Sequence, residues 1–372
     1  MSVSFGKKKM LTIFAALIHD FFYRLRELFV FQRSEPYFIA EVGQNHQGSV
    51  ALALEYVNEF AVAGADAVKF QMRDNKALFS SDKYNSVYNS DNAFADTYGA
   101  HREALELSFD EMFTVRQRCR DVGVDFICTP FDENSLSALS KMGPDAIKVA
   151  SFDLGNIPFL QKIARLGLPV VMSTGGGNLE HVEASITALT MGGSEIAILH
   201  CVSKYPCSHD ELLLGRIVLL KERFPELIIG SSDHFNGILS GPIALMLGAT
   251  VFEKHVTFDR SSKGTDHSFA LEKEGFRKFV RDVKRTNEMI EGALPPELGR
   301  EPVFKKLGKS VVAARNIAVG EIITAEALSG KIFTETFIPV RESAQLLGTV
   351  AIVDISAGVP LTWEAIEQSH GH

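Results

Sequence analysis

The stretch ALALEYVNEFAVAGADAVKFQM, residues 51–72, contains the unit from which we predict the fold. In residues 51–63 the apolar side chains recur at helical spacing, and Gly64 then ends the predicted helix. Residues 67–72 form a short, almost continuous apolar run, which is typical of a parallel strand covered by helices. The stretch therefore predicts a helix that leads directly into a buried parallel strand.

The same alternation of apolar runs and helical patterns continues along most of the chain. Predicted strands span residues 37–42, 67–72, 125–130, 146–151, 169–173, 196–202, 228–232 and 251–256. Predicted helices between them include residues 51–63, 109–120, 160–166 and 212–223. Eight such units in about 250 residues predict an α/β fold, a closed (β/α)8 TIM barrel. The alternative, a doubly wound open sheet, would need a Gly-x-Gly-x-x-Gly turn after the first strand, and the sequence has none there.

The two ends of the chain differ in pattern from the barrel region, residues 36–291, which we predict to be the catalytic domain. Residues 1–35 join a lysine cluster to apolar residues at helical spacing, without the small-residue site at which a signal peptide is cleaved. We predict a cytoplasmic protein whose extension is a helix packed on the barrel or a poorly ordered segment, and we favour either of these over attachment to a membrane surface. Residues 292–306, rich in proline and glycine, predict a linker.

Residues 307–369 contain one pattern twice, at residues 317–328 and 355–366. Each copy predicts a strand, a glycine turn and a short helix with Thr324 or Thr362 as its N-cap. These residues therefore predict a small β-rich domain.

Composition excludes several classes of partner. The 372 residues include 38 Lys and Arg against 46 Asp and Glu, a formal net charge of −8, with no basic tract, which argues against nucleic acid and anionic membranes. Four cysteines without Cys-x-x-Cys spacing predict buried free thiols. A small anionic substrate is compatible with this composition, because a few cations at a binding site can outweigh the negative net charge of the chain.

Polar side chains gather where the predicted strands end, which in a barrel is the end that carries the chemistry. They are Glu41, Lys69, Gln71, Thr129, Lys148, Ser151, Asp153, Ser173, Thr174, His200, Ser203, Tyr205, Ser232, Asp233, His234, Glu253, Lys254 and His255. The long connection between residues 72 and 109 follows the second strand at this same end and predicts a lid.

These groups divide by chemistry. Lysines and hydroxyls at strand ends suit a phosphate and a carboxylate. His234 and His255 end adjacent strands and predict a divalent metal site, with Mn²⁺ favoured over Mg²⁺ or Co²⁺. Glu41 and Asp153 are candidates for proton transfer. His200 is interpreted as a core residue.

Several motifs, taken together, resemble the sialic acid synthase family, the N-acetylneuraminate synthases and their relatives. The matching segments are residues 39–46, 64–71, 128–131, 199–201, 205–206, 230–234 and 253–257, and the tail resembles the family's SAF, or antifreeze-like, domain. The resemblance implies condensation of phosphoenolpyruvate with N-acetylmannosamine and water to N-acetylneuraminate and phosphate. It further implies a metal that polarises the sugar aldehyde, and a homodimer in which the SAF domain is swapped onto the partner's barrel.

The resemblance also assigns roles to residues. Phosphoenolpyruvate is assigned to Lys69, Thr129, Lys148, Ser151 and Ser232, with Ser203 at a phosphate-site position that is often Asn in the family. The sugar and the reacting centre are assigned to Glu41, Gln71, Asp153, Tyr205 and Asp266.

Departures from the family pattern leave the sugar open. A bulky Phe152 and the shorter Asp153 stand where the family often has Gly-Glu, and residues 331–336 lack the Arg-Pro-Gly segment, for which Arg341 is a candidate replacement. A legionaminic or pseudaminic acid synthase is therefore an alternative. Two other classes stay open: a Schiff-base aldolase using Lys69 or Lys148, and a non-catalytic sugar-phosphate binder.

Overall fold

The computed structural model describes residues 30–31, 33–291 and 301–367, which form two compact units divided after Glu291. The first unit contains β1 (Tyr37–Gly43), α1 (Val50–Val62), β2 (Ala67–Met72), α2 (Asn75–Leu78), α3 (Ser81–Tyr84), α4 (Tyr98–Glu103), α5 (Phe109–Val122), β3 (Asp125–Pro130), α6 (Glu133–Met142), β4 (Ala146–Val149), α7 (Ile157–Ala164), β5 (Val170–Ser173), α8 (Leu179–Thr190), β6 (Ile196–Cys201), α9 (Arg216–Arg223), β7 (Ile228–Asp233), α10 (Ser240–Met246), β8 (Val251–Thr257), β9 (Leu271–Glu272) and α11 (Lys273–Glu291). The second unit contains α12 (Pro302–Leu307), β10 (Lys309–Ala313) and β11 (Leu328–Ile332).

The first unit is a closed parallel barrel. Each of the strands β1 to β8 pairs with the next, and β1 also pairs with β8. Glu41 on β1 lies opposite Lys69 on β2 and opposite His255 on β8. The TIM barrel prediction is confirmed, and closure brings the carboxyl ends of all eight strands to one end of the unit.

The interior of the barrel changes from apolar to polar along each strand. Ile39 and Ala67 belong to a fully buried apolar cluster inside the barrel. Two residues further along the same strands lie Glu41 and Lys69. Because side chains two residues apart share a face of a strand, the inward face becomes polar toward the carboxyl end.

Element boundaries differ from the prediction where turns intervene. Strand β4 ends at Val149, because Ser151–Asp153 forms a single 3-10 turn instead of a strand end. Helix α7 begins at Ile157, earlier than predicted, with a proline in its first turn, where the fixed φ of proline suits a helix. Helix α9 begins only at Arg216, because Leu213 has a positive φ of 48°, which no α-helix accommodates.

The connection between β2 and α5, residues 73–108, is called the lid segment below. It contains the three short helices α2, α3 and α4. Their N-cap residues Asp74, Ser80 and Thr97 each accept a hydrogen bond from a backbone N–H of the first turn. The lid segment is therefore folded, with each short helix held by its own cap.

The second unit follows the predicted repeat. Ile317 and Ile355, the first residues of the two copies, exchange both backbone hydrogen bonds, at 2.9 and 2.8 Å. Thr324 and Thr362 stand at the N-caps of one-turn 3-10 helices, although neither side chain caps its helix. The small β-rich domain is confirmed.

Part of the predicted linker is helical. Pro302 starts α12, and proline favours the first position of a helix, so the residues after it are not an irregular connection. Residues 292–300 lie outside the described part of the chain.

The predicted N-terminal helix falls on residues that the structure does not describe, apart from its last few. Within the described ranges, no helix is long and apolar enough to cross a membrane. All four cysteines are buried and free, as expected.

Candidate active site

A cavity of about 800 Å³ opens at the carboxyl ends of the barrel strands. Most of the predicted site residues line it: Glu41, Lys69, Gln71, Thr129, Lys148, Ser151, Tyr205, Ser232, His234, His255 and Asp266. Strand closure therefore brings together residues that are more than 200 positions apart in the sequence.

Two buried lysines form the deep part of the cavity. The Nζ of Lys69 lies 2.7 Å from Glu41 Oε2, 3.3 Å from Thr129 Oγ1 and 3.8 Å from Glu253 Oε1. The Nζ of Lys148 lies 4.0 Å from Glu253 Oε2. We call Lys69, Lys148, Glu41 and Glu253 the lysine site. Two ammonium groups and two carboxylates, all buried, share this small volume.

The two carboxylates of the lysine site differ in their affinity for a proton. Burial raises the pKa of Glu41 to about 7, although Lys69 opposes the shift. Burial alone would also raise the pKa of Glu253, but Lys148 and Lys69 together hold it below its ordinary value. Glu253 is therefore ionised at neutral pH, whereas Glu41 gains and loses its proton there.

A tight glycine turn packs against Ser151, which lines the cavity. The Gly175 N–H donates to Ser151 Oγ at 3.1 Å. A Cβ added at Gly176 would lie 1.9 Å from the Ser151 carbonyl oxygen, so only glycine fits there. Ser232 Oγ donates to Glu253 Oε1 at 3.0 Å. Hydroxyl donors thus flank the lysines.

His234 and His255 meet in the same cavity, with ring centroids 5.2 Å apart. The Nδ1–H of His234 donates to the Val202 carbonyl at 2.9 Å, which leaves its Nε2 lone pair free. The buried Nδ1 of His255 has no hydrogen-bond partner among the described residues, and it lies 3.7 Å from Asp266 Oδ2.

Both imidazoles are in the form that binds metals. Burial, with help from His255, lowers the pKa of His234 to about 4, and burial also lowers the pKa of His255. Within the described residues, no group of three or more His, Cys, Asp or Glu is placed to hold an ion. The two neutral imidazoles are only part of a donor set, which a divalent ion would complete with water and substrate oxygens.

Tyr205 and Gln71 also line the cavity, Tyr205 beside His234 and Gln71 beside the lysine site. The Tyr205 ring lies 3.9 Å from the His234 ring, centroid to centroid, and burial raises the pKa of its hydroxyl well above its ordinary value. Gln71 donates from Nε2 to Glu41 Oε1 at 2.7 Å. Tyr205 is therefore a neutral hydrogen-bond donor at neutral pH.

The structure does not bring two predicted residues into the cavity. The Asp153 carboxylate accepts a hydrogen bond from Asn156 Nδ2 at 2.9 Å, and its neighbours Ser151 and Phe152 line the cavity instead. In a 3-10 turn, successive side chains point about 120° apart, so the third residue turns away. Ser203 is exposed and does not line the cavity.

Three charged lining residues, Glu253, Arg73 and Arg102, were not assigned a role from the sequence. Because side chains two residues apart on a strand share a face, Glu253 lies on the inward face with His255, whereas Lys254 faces outward and pairs with Asp233. Arg73 and Arg102 come from the lid segment, where periodicity gives no orientation.

Comparison with known proteins agrees with the resemblance inferred from the motifs. A model of the NeuB family matches residues 56–293, and a model of the SAF domain matches residues 308–367. The chain belongs to the NeuB family. This assignment confirms the sialic acid synthase resemblance.

Members of this family with names or solved structures match most of the chain. An N-acetylneuraminate-9-phosphate synthase of Drosophila melanogaster is 35% identical and covers 89% of this chain and 95% of its own. An N,N'-diacetyllegionaminic acid synthase of Legionella pneumophila is 32% identical, with 89% and 94% covered. A crystal structure of the N-acetylneuraminic acid synthetase from Leptospira borgpetersenii, in complex with citrate, has a TM-score of 0.65 at 30% identity, with 73% and 91% covered.

Proposed function

We propose that this chain is a nonulosonic acid synthase, which condenses phosphoenolpyruvate with an N-acylated aminosugar aldehyde and water. The products are a nine-carbon 2-keto acid and inorganic phosphate. The observation that carries the proposal is that two buried lysines and two neutral histidines face one cavity at the carboxyl end of the barrel. The family membership and the names of its relatives support the same reaction class.

The lysine site is proposed to bind phosphoenolpyruvate. Lys69 and Lys148 supply positive charge, and Thr129, Ser151 and Ser232 supply hydroxyl donors for the phosphate and the carboxylate. With Glu41 protonated, the two lysines exceed the one remaining carboxylate by a single positive charge, so an anion is attracted. Lys69 is held by Glu41 at 2.7 Å, and the Nζ of Lys148 donates to Ser173 Oγ at 2.7 Å and to the Val149 carbonyl at 2.9 Å.

The two histidines are proposed to hold a divalent ion, with Mn²⁺ as first candidate. When bound, such an ion acts as a Lewis acid toward the aldehyde oxygen of the sugar. Asp266, next to His255, and Tyr205, next to His234, would orient the sugar hydroxyls.

The reaction needs one carbon–carbon bond and the loss of one phosphate. The methylene carbon of phosphoenolpyruvate bonds to the aldehyde carbon, and the aldehyde oxygen takes up a proton. Water adds to the former enol carbon, and the bond between that carbon and the phosphate oxygen then breaks. We assign the proton held by Glu41 to this sequence, because its pKa of about 7 lets it donate at neutral pH.

N-acetylmannosamine is the first candidate acceptor, with legionaminic- and pseudaminic-type aminosugars as alternatives. Phe152 is 76% exposed at the rim of the cavity, and this bulky apolar side chain can contact an extra substituent on the sugar. The names of the relatives given above specify different nonulosonic acids. The acceptor of this chain therefore has to be identified by experiment.

The test is incubation of the full chain with phosphoenolpyruvate, Mn²⁺ and a panel of N-acylated aminosugars, followed by assays of phosphate and 2-keto acid. We expect both products in equal amounts with one acceptor. His234→Ala should lose at least about a hundredfold in rate and lose Mn²⁺ binding. The control His209→Ala changes an exposed histidine and should behave as wild type. A wild-type protein that releases no phosphate with any acceptor and metal would contradict the proposal.

A Schiff-base aldolase is the second candidate, because burial lowers the pKa of Lys148, as such a lysine requires. It predicts activity without metal and covalent trapping of a keto substrate on Lys148 by borohydride. We expect no trapping. Sugar-phosphate binding without any phosphate release would instead favour the non-catalytic binder.

The assembly is proposed to be a homodimer in which the SAF domain covers the partner's barrel, as the family resemblance implies. Sedimentation velocity of the full chain should give about twice the mass of one chain, 40.9 kDa. A monomer at every concentration tested would contradict this assembly.

A further inference from the structure

A second cationic group lines the cavity, separate from the lysine site. Arg73, directly after β2, and Arg102, on α4 of the lid segment, both face the cavity. We call them the arginine pair. Arg73 Nη1 lies 3.3 Å from Glu106 Oε1, and its guanidinium carbon lies 3.9 Å from the Phe131 ring centroid. The only carboxylate within salt-bridge distance of the pair, among the described residues, is that of Glu106.

The two guanidinium groups repel each other. Burial, together with the charge of Arg102, lowers the pKa of Arg73 to about 10. Burial also raises the pKa of Glu106, which shows that even this single counter-charge is held at a cost. Two close cations with one partly desolvated carboxylate leave an excess of positive charge that an anion would balance.

Arg102 has an unused donor. Its Nε–H is buried and finds no hydrogen-bond partner among the described residues. A buried donor without a partner costs about 1–3 kcal/mol, so such groups are uncommon, and an acceptor that entered the cavity would remove this cost. The guanidinium presents a planar set of donors that matches a phosphate or carboxylate.

The arginine pair is connected to the lysine site but distinct from it. Arg73 Nη2 donates to Gln71 Oε1 at 2.5 Å, and Gln71 Nε2 donates to Glu41 Oε1 at 2.7 Å. Gln71 therefore spans the distance between the two cationic groups. An acceptor sugar whose aldehyde lies beside phosphoenolpyruvate at the lysine site, where the new bond forms, and which extends past Gln71 would place its far end at the arginine pair.

We propose that Arg102 and Arg73 bind a phosphate ester at the end of the acceptor sugar remote from its aldehyde. The preferred substrate class is thus a phosphorylated N-acylated aminosugar, and Arg102 is a specificity-determining residue. This inference rests on the proposed function. In the condensation three carbons are added at the aldehyde end, so a phosphate on the sixth carbon of the acceptor becomes a phosphate on the ninth carbon of the product. The name of the Drosophila relative, N-acetylneuraminate-9-phosphate synthase, places a phosphate on the ninth carbon of its product.

The kinetic test compares N-acetylmannosamine with its 6-phosphate as acceptors, at saturating phosphoenolpyruvate and Mn²⁺. Wild type should show the higher kcat/KM for the phosphorylated sugar. Arg102→Gln should lower the ratio of the two kcat/KM values about tenfold or more, since one charge-assisted hydrogen bond is lost. Arg102→Lys, which keeps the charge, should restore part of the ratio. Lys76→Gln removes an exposed cation from α2 of the same lid segment that does not line the cavity, and it should leave the ratio within about twofold.

A binding test separates this inference from the proposed function. Calorimetry with the unreactive reduced sugars, N-acetylmannosaminitol and its 6-phosphate, needs no turnover. Tighter binding of the phosphorylated alditol that is lost in Arg102→Gln supports the arginine pair even if no acceptor is turned over. Equal binding of the two alditols by wild type, or a preference that Arg102→Gln leaves intact, overturns the inference. Thermal melting of each variant confirms that it is folded.

Discussion

Glu41 and Glu253 lie on the paired strands β1 and β8 and share Lys69, yet their pKa values shift in opposite directions. Burial dominates at Glu41 and raises its pKa to about 7, whereas Lys148 and Lys69 overcome burial at Glu253. Two carboxylates whose pKa values shift in opposite directions can take different roles in one site. Glu253 is a fixed counter-charge for the lysines, and Glu41 is the group whose proton is exchanged.

The proton on Glu41 should control the binding of phosphoenolpyruvate. Below about pH 7 Glu41 is neutral and the lysine site has a net positive charge, whereas above it the site is neutral and no longer attracts an anion. The Kd for phosphoenolpyruvate should therefore rise as the pH increases through 7, by up to about tenfold per unit. Calorimetric titrations from about pH 6 to about pH 9 measure this rise.

Glu41→Gln is the matched variant for this prediction, because an amide keeps the shape and cannot ionise. Its Kd should follow only the titration of the substrate phosphate, with a pKa near 6 for phosphate monoesters. A variant whose Kd rises above pH 7 as steeply as that of wild type would assign the effect to another group.

The position of most site residues at strand ends could be predicted, because strands and helices alternate regularly in this part of the chain. Closure of a parallel barrel then brings the carboxyl ends of all strands to the same end. Glu41 and Lys69 follow apolar residues on the same inward face, which is a signal in the sequence. Asp153 was placed wrongly because a 3-10 turn replaces the strand end. Arg73 and Arg102 could not be oriented from sequence, since side chains in an irregular segment have no period.

The lid segment contributes several side chains to the wall of the cavity. Its helices α3 and α4 pack through Tyr84, whose ring lies over Gly99. Arg102 lies on α4, so the position of this short helix sets the position of one arginine of the pair. The length and composition of the connection between β2 and α5 predicted a lid. The helices within it were not predicted, because four to six residues are too few to show a helical period.

Gly99→Ala should displace the lid segment. A Cβ at this position would lie 2.5 Å from the Tyr84 ring, so α3 and α4 must separate. We expect faster proteolysis within residues 73–108 and a KM for the acceptor sugar raised about threefold to tenfold, with little change in the melting temperature, because the lid segment opens apart from the core. Gly215→Ala is the control, since no heavy atom lies within 4 Å of its Cβ position. Equal proteolysis rates in the two variants would show that the Tyr84 contact does not hold the lid segment.

At the scale of the whole molecule, the barrel and the β-rich unit were both predictable because each repeats a simple pattern: strand and helix in one, two related copies in the other. The choice of sugar was not predictable in the same way. It depends on a few side chains at the rim, such as Phe152 and Arg102, whose orientation is set by turns and by the lid segment.

The most direct test of the account is the condensation reaction run in water enriched in oxygen-18. The proposed chemistry breaks the bond between carbon and oxygen in phosphoenolpyruvate, so the released phosphate keeps its original oxygens. We predict a nine-carbon 2-keto acid together with phosphate that contains no solvent oxygen. Phosphate that carries one oxygen-18, or phosphate released without any nine-carbon acid, would contradict the proposed joining of an enol phosphate to a sugar aldehyde in this cavity.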